Sequence, residues 1–183
     1  MPPLNDIVWP TGKQNMGGLR DSIYVVPADD VDLTTPPTID IDGKTLTTAL
    51  ALKPNRKFYK LYFTKGTGKL DFNVVGERDG KSFENMVEFN VPGGDAANLA
   101  VVDEMLNGAF VAIVKDGTQQ LVIGLSKDEA GVLNVDFPVY TESLTGTTGA
   151  AAADKRGMTI VLKAEAPHTP LVYASTIDLD ELT

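Results

Sequence analysis

A strand, a tight turn and a second strand follow one another several times along this chain, and this pattern restricts the fold more than any other feature. The clearest case is AFVAIVK (residues 109–115) and QQLVIGL (residues 119–125), which an Asp-Gly turn separates. β-branched and aromatic residues favour strands, and a short turn with glycine favours an antiparallel hairpin. The segments at 58–64, 69–77 and 83–91 have the same composition, and KGTG and RDGKS join them. We therefore predict an antiparallel meander over residues 58–91, with Leu70, Phe72 and Val74 sharing one face and Asp71 and Asn73 the other, wet face.

Weaker strand signals extend on both sides of these hairpins. Strand composition predicts further strands at residues 22–27, 131–143, 158–166 and 171–179, and TLTTALAL (45–52) is a strand in preference to a short helix. The segment at 28–38 has two prolines and three aspartates, and the segment at 144–157 is rich in Gly, Thr and Ala. Both are predicted to be long loops.

One segment has the pattern of a helix. Asp95 can cap its first turn, Leu99, Val102 and Leu106 lie on one stripe, and Gly108 stands where a C-terminal cap belongs. The expected fold is therefore mainly β, with antiparallel sheets in a β-sandwich or barrel-like arrangement and one flanking α-helix near residues 95–107. Residues 1–20, which hold three prolines and three glycines, are predicted to be an extended arm, and residues 21–183 a single β domain.

The charge of the chain is strongly asymmetric. The formal net charge is −9, of which residues 1–93 (12 acidic, 11 basic) contribute −1 and residues 94–183 (13 acidic, 5 basic) contribute −8. Nucleic-acid binders need clustered Lys and Arg, so this balance argues against a protein that grips phosphates. No apolar run approaches the ~20 residues of a membrane helix. The N-terminus has neither the basic start nor the apolar stretch of a signal peptide, so we expect a cytoplasm-like compartment and no membrane partner.

Candidate catalytic residues are few. The chain has no cysteine and a single histidine, His168, which lies between two prolines and is predicted to be a turn residue. Aspartates in IDIDG and ERDGKS do not continue into the spacing of a calcium loop, and no glycine pair is followed by the Lys-Ser or Lys-Thr of a phosphate loop. We expect no enzyme, no metal and no cofactor, although a site built from carboxylates alone stays open at this point.

The last third of the chain has a more specific pattern, GTTGAAAADKRGMTIVLKAEAPHTPLVYASTIDL (residues 146–179). A loop of small residues leads through Lys155, Arg156 and Gly157 into an alternating strand, followed by a corner around His168 and a closing strand through Tyr173. This pattern resembles the C-terminal part of major tail proteins, the tail-tube subunits of long-tailed bacteriophages and prophages of Bacteroidetes type. In the rest of the chain the resemblance is one of layout: an arm, a meander, one helix and further hairpins.

The resemblance implies a function as well as a fold. Subunits of this family are β-sandwich-like domains with a helix on one flank, and they form rings, usually hexameric, whose inner strands join into a continuous barrel. Stacked rings make a tube that conducts DNA during ejection without binding it specifically. The implied partners are other copies of the chain and proteins like the tape measure and the tail terminator. The implied location is the tail of the virion, after synthesis in the cytoplasm of the host bacterium.

The resemblance also assigns residues to assembly. The loop at 146–157 is expected to be disordered in the free subunit and ordered by a neighbour, with Lys155 and Arg156 pairing with acids there. The predicted contact residues between subunits are Trp9, Gly149, Ala151, Asp154, Lys155 and Arg156. The hairpins at 69–91 and 109–125 are candidate lumen strands, and the acids expected to face the lumen are Asp116, Asp128, Glu129 and Asp136.

Two other functions remain open from the sequence. A monomeric β-sandwich binding module, such as a capsid decoration or carbohydrate-binding domain, would present an aromatic patch, and Phe58, Tyr59, Tyr62 and Phe63 supply candidates. Alternation places Phe58 and Tyr62 on one face and Tyr59 and Phe63 on the other, so one pair is expected in the core. A carboxylate-based hydrolase would need two specific acids.

Overall fold

The computed structural model describes residues 17–20, 22–128, 130–151, 153–177 and 179 of the 183-residue chain. A single helix, α1, spans Ala96–Met105 in this part of the chain. The strands are β1 (Ser22–Pro27), β2 (Thr45–Leu46), β3 (Tyr59–Tyr62), β4 (Lys69–Val75), β5 (Ser82–Pro92), β6 (Phe110–Lys115), β7 (Gln120–Ile123), β8 (Ser126–Lys127), β9 (Leu133–Asn134), β10 (Tyr140–Thr147), β11 (Gly157–Ala166) and β12 (Leu171–Tyr173). The predicted mainly β fold with one helix is confirmed.

The strands form two larger sheets and a small ribbon. The six-stranded sheet has the order β2-β12-β7-β6-β1-β3, and only its β2–β12 pair is parallel. The four-stranded sheet has the order β10-β11-β5-β4 and is antiparallel throughout. Strands β8 and β9 pair with each other.

The six-stranded sheet is buried on both faces. Ile23 and Val25 of β1 belong to a core that also contains Val87 and Phe89 of the four-stranded sheet. Tyr24 and Val26 belong to a second core on the opposite face, together with apolar residues of the excursion between β1 and β3. Continuous apolar runs such as IYVV in β1 are what strands buried on both sides require.

The predicted meander is wrong at its first turn. Strand β3 pairs with β1 in one sheet, whereas β4 pairs with β5 in the other, so KGTG carries the chain between sheets. At this crossing a Cβ on Gly68 would lie 2.3 Å from the ring of Phe63, so glycine allows the backbone to pass the buried ring. The predicted β4–β5 and β6–β7 hairpins are confirmed. Strands that are adjacent in sequence and joined by a short turn commonly pair with each other.

The helix begins as predicted but buries a different stripe. The Asp95 side chain accepts a hydrogen bond from the Asn98 amide at 2.9 Å and caps α1. Val102 and Met105 are buried in the core between the two sheets, whereas Leu99 and Leu106 are exposed. The helix therefore contacts this one core along a narrow edge. Gly108 does not adopt a left-handed cap, and its closest neighbour is the Phe110 ring.

Several predicted strands are shorter in the structure, and so is one predicted loop. Within 131–143 two separate strands form, β9 (Leu133–Asn134) and the first residues of β10, from Tyr140 onward. Strand pairing is limited to Thr45–Leu46 within 45–52 and to Leu171–Tyr173 within 171–179. The predicted loop at 144–157 is limited to residues 148–156, because β10 continues pairing with β11 up to Thr147 opposite Gly157. Residues 28–38 contain a 3-10 turn, Ala28–Asp30, and one isolated bridge, from Val31 to Leu52.

Candidate functional site

The outer face of the four-stranded sheet is polar and charged. Alternation along β5 turns Val87 and Phe89 into the core and Glu84 and Glu88 outward. The same alternation along β11 turns Lys163 and Glu165 outward. Five carboxylates and two lysines share this surface, which we call the acidic face: Asp71, Glu84, Glu88, Glu142, Glu165, Lys69 and Lys163.

Both lysines of the acidic face lie between carboxylates. Lys163 Nζ is 2.7 Å from Glu84 and 3.6 Å from Glu165. Lys69 Nζ is 3.1 Å from Glu88 and 3.2 Å from Asp71. Hydrogen bonding to Glu84 raises the pKa of Lys163, and hydrogen bonding to Glu88 and Asp71 raises the pKa of Lys69. The lysines therefore stay charged and organise the acids, yet the face keeps an excess of negative charge.

A cleft of about 340 Å³ lies where β10 begins on this face. Phe137 and Tyr140 are exposed there, and the carboxylates of Asp136, Glu142 and Glu165 also line it. Exposed aromatic rings therefore adjoin the acidic face at this cleft.

The two edges of the four-stranded sheet are β4 and β10. Within the described residues no strand pairs with the outer side of either one. The face of β4 that was predicted to be apolar is only partly covered, because Phe72 is 52% and Val74 57% exposed. The amide of Asn85, opposite Phe72 on β5, is buried, and its Oδ1 accepts no hydrogen bond within the described residues.

The hairpin of β6 and β7 does not offer such an edge. Strand β6 is paired with β1 and β7, and β7 is paired with β6 and β12. Its side chains are buried from Phe110 to Val114. Residues 109–125 therefore offer no open edge to a neighbouring subunit, because these strands form the centre of the buried sheet, and their place in a lumen stays a prediction.

The small-residue loop has internal hydrogen bonds. The carboxylate of Asp154 accepts from the backbone amides of Ala150 (2.8 Å) and Ala151 (2.7 Å), and these bonds lower the pKa of Asp154. Gly149 has φ of +72° and lies against Asp154, so a glycine is needed there. These contacts define the loop within one chain, whereas the sequence predicted that a neighbour would order it.

Arg156, which was predicted to pair with an acid of a neighbour, makes contacts within the chain. Arg156 Nη2 donates to the carbonyl of Gly94 at 2.5 Å, and the Gly93 amide donates to the carbonyl of Arg156 at 3.1 Å. Arg156 thereby joins the β10–β11 loop to the residues just before the helix, and its pairing with an acid of a neighbour stays a prediction. Lys155 and Ala151 are exposed, and Trp9 lies outside the described residues.

The described acids among those proposed for the lumen lie in separate segments of the chain. Asp116 accepts from the amides of Thr118 and Gln119 in the β6–β7 turn, and Asp128 accepts from the Val132 amide in the β8–β9 turn. Asp136 lines the cleft, and Glu129 lies outside the described residues. Sequence reasoning missed the acidic face, although the alternation of Glu84 and Glu88 with apolar residues was its signal.

His168 is confirmed as a turn residue. Its Nε2 accepts from the Lys127 amide at 3.2 Å, and its Nδ1 donates to the Thr169 carbonyl at 2.8 Å. Burial lowers the pKa of His168, the charges of Lys44 and Lys127 lower it further, and the bond to Thr169 opposes them in part. Among the described residues no group of three or more His, Asp or Glu side chains could hold a metal ion.

Comparison of the chain with protein-family models, with curated proteins and with solved structures gives no match. The likeness to major tail proteins therefore stays a prediction. In the described part of the chain, no helix has both the length and the apolar character needed to cross a bilayer.

Proposed function

We propose that the chain is a structural, non-enzymatic virion protein, a major tail protein that assembles into stacked, hexameric rings and forms a tube for DNA ejection. The observation that carries the proposal is the four-stranded sheet, which combines one acidic face with two edges that no strand of the described residues pairs with. In this proposal the edges join neighbouring subunits, and the acidic face lines the lumen.

The strand directions support joining of the edges. Four antiparallel strands lie side by side, so β4 and β10 run in opposite directions. Rotation about a ring axis would place β4 of one copy beside β10 of the next in an antiparallel pair. Such head-to-tail contacts close into rings when the rotation closes, and closure removes exposed edges.

The side chains at the β4 edge support a partner there. A neighbour would cover Phe72 and Val74, whose exposed apolar area is otherwise unfavourable in water. Long edge strands without such a partner are sites of unwanted association.

The charge of the outer face supports a conduit. An acidic wall repels the phosphates of a duplex, so the duplex is kept away from the wall and moves without specific contacts. The two lysines of the face are already paired with carboxylates.

Substitution of the β4 edge tests the proposal. Val74→Lys places a charge in the proposed contact, so we expect sedimentation to show mainly monomer, whereas the wild-type chain forms rings or tubes in negative-stain images. Val132→Lys is the matched control, because Val132 is exposed to nearly the same degree (55% against 57%) but lies in the turn before β9. Equal assembly of all three chains would exclude the β4 edge as the contact, and a monomeric wild-type chain at high concentration would contradict the function.

The cleft beside the acidic face favours one alternative, a monomeric carbohydrate-binding module. Aromatic rings and carboxylates in a concave site can contact the faces and hydroxyls of a sugar. The aromatic run at 58–63 does not supply this patch, because Phe58 and Phe63 are buried in different cores and only Tyr59 and Tyr62 are exposed. Glycan-array binding by a monomer that is lost in Tyr140→Ala would favour the alternative.

A further inference from the structure

Besides the acidic face and its edge strands β4 and β10, the molecule has a second, largely apolar surface. The proposed ring contacts do not involve this surface. A groove of about 260 Å³ lies between α1 and the edge strand β3. Tyr62 and Val101 are exposed at this groove, which we call the flank groove. Its apolar lining residues are Leu61, Tyr62, Val91, Pro92, Val101, Met105 and Ile160.

Strand β3 gives the flank groove a backbone edge. It pairs with β1 on one side, and no strand within the described residues pairs with its other side. An edge of this kind binds an extended peptide by adding a strand, while neighbouring pockets take its side chains. The flank groove therefore fits an extended apolar segment.

The chain itself contains such a segment outside the described residues. Residues 4–9, LNDIVW, lie between Pro3 and Pro10, and four of the six are apolar. Trp is the residue type most often found as an anchor in interface pockets. The segment also carries Asp6, and Lys60 lines the flank groove, so the charges are complementary.

The attachment point of this segment is close to the flank groove. The described chain begins at Gly17, the Leu19 amide donates to the Gly68 carbonyl at 3.0 Å, and Ser22 pairs with Tyr62. The eight residue steps from Trp9 to Gly17 span at most about 28 Å when extended. The segment can therefore reach a flank groove that assembly brings within this distance of Gly17.

We propose that residues 4–9 of one copy bind in the flank groove of a neighbouring copy, with Trp9 inserted between α1 and β3. The proposal rests on the proposed self-assembly, which places such a neighbour within reach. The segment extends the six-stranded sheet of the neighbouring copy beyond β3. Strands β4 and β10 join the four-stranded sheets of adjacent copies, so each of the two sheets has its own contact between copies.

The only tryptophan of the chain reports on this contact directly. In the assembled wild-type chain we expect Trp9 emission to be blue-shifted and shielded from acrylamide. Val101→Asp puts a charge into the flank groove, so emission shifts to the red and acrylamide quenching increases. Leu106→Asp is the control, because Leu106 is an exposed apolar residue next to α1 that does not line the groove, and its emission should match the wild type.

Mixing full-length chains distinguishes a neighbour from the same copy. The Val101→Asp chain keeps Trp9 but has a blocked groove, and a Trp9→Ala chain keeps an open groove without a fluorophore. Addition of excess Trp9→Ala chain should shift the Trp9 emission of the Val101→Asp chain to the blue. An unchanged spectrum on mixing would overturn binding between copies, and so would Trp9 shielding in a dilute wild-type monomer.

The outcomes separate this contact from the ring proposal. Rings that form normally while Trp9 stays exposed to acrylamide would overturn the groove assignment and leave the proposed function in place. Chains that fail to assemble, with Trp9 exposed at every concentration, would contradict both.

Discussion

At the scale of single residues, polar groups that could indicate chemistry mostly stabilise turns. His168 holds the corner before β12 with both ring nitrogens, and Asp154 organises the β10–β11 loop through two backbone amides. Asp42 accepts from the side chain of Thr45 and from two backbone amides, and these bonds lower its pKa. None of these residues needs a ligand to explain its geometry.

His168 makes a testable contribution to pH dependence. Its folded-state pKa lies below the unfolded value of about 6.5. The unfolded state therefore binds a proton more readily, and the free energy of unfolding falls as pH decreases from about 6.5 through the folded pKa. We expect His168→Gln to show a weaker loss of stability between pH 7 and pH 5, measured by urea denaturation.

The pH window separates His168 from the carboxylates. The pKa values of Asp32, Asp42 and Asp154 are lowered from 3.8, so their stabilisation is present above this pH and is lost as pH falls further. Identical denaturation profiles of the wild type and His168→Gln from pH 7 to pH 5 would contradict the role of His168.

At the scale of elements, α1 is short and depends on its cap and on packing. The Asp95 cap satisfies one of the amides that a helix leaves without a partner at its N-terminus. We expect Asp95→Ala to lower the free energy of unfolding by about 1 kcal/mol. Asp103→Ala, an exposed position within the same helix, should change it by less than about 0.5 kcal/mol. Chemical denaturation compares the two, and equal effects would show that the cap is unimportant.

Local patterns predicted the elements whose partners are adjacent in sequence. The β4–β5 and β6–β7 hairpins follow from strand composition and a short turn, and β1 was predicted with its observed bounds, Ser22–Pro27. The crossing at KGTG could not be predicted, because a glycine turn permits a hairpin and a change of sheet alike. Which of the two forms depends on distant strands, here β1 as the partner of β3.

Local patterns also did not predict which residues of the candidate site are exposed, because exposure depends on distant parts of the chain. Alternation indicates that Phe72 and Val74 share a face with Leu70, and it does not indicate how far the opposite sheet extends over that face. Likewise, the buried stripe of α1 depends on which side meets the cores, so Leu99 and Leu106 were assigned wrongly while Val102 was right.

At the scale of the whole molecule, each surface has a separate role in the proposed tube. The acidic face draws Asp71, Glu84 and Glu88 from the first half of the chain and Glu142 and Glu165 from the second. The charge difference between the two halves of the sequence therefore does not describe the surface that forms on folding. The four-stranded sheet gives a polar face and two edges with which no strand of the described residues pairs. The flank groove lies where β3 of the six-stranded sheet meets α1 and residues of β5 and β11.

Disulfide trapping tests the central claim most directly, because the natural chain has no cysteine. Asn73→Cys in β4 is combined in turn with Ser143→Cys, Thr145→Cys or Thr147→Cys in β10. The three pairs test three registers between β4 of one copy and β10 of the next. Within one copy β4 and β10 are three strand spacings apart, about 14 Å, and a disulfide needs Cα atoms within about 7 Å. Any crosslink must therefore join two copies.

Oxidation of the assembled protein should give, for one of these pairs, a non-reducing ladder that ends at a single closed ring. Each single-cysteine variant is the control and should stop at a dimer. Only monomers and dimers for all three pairs, from protein that still assembles, would contradict the claim that β4 and β10 join neighbouring subunits.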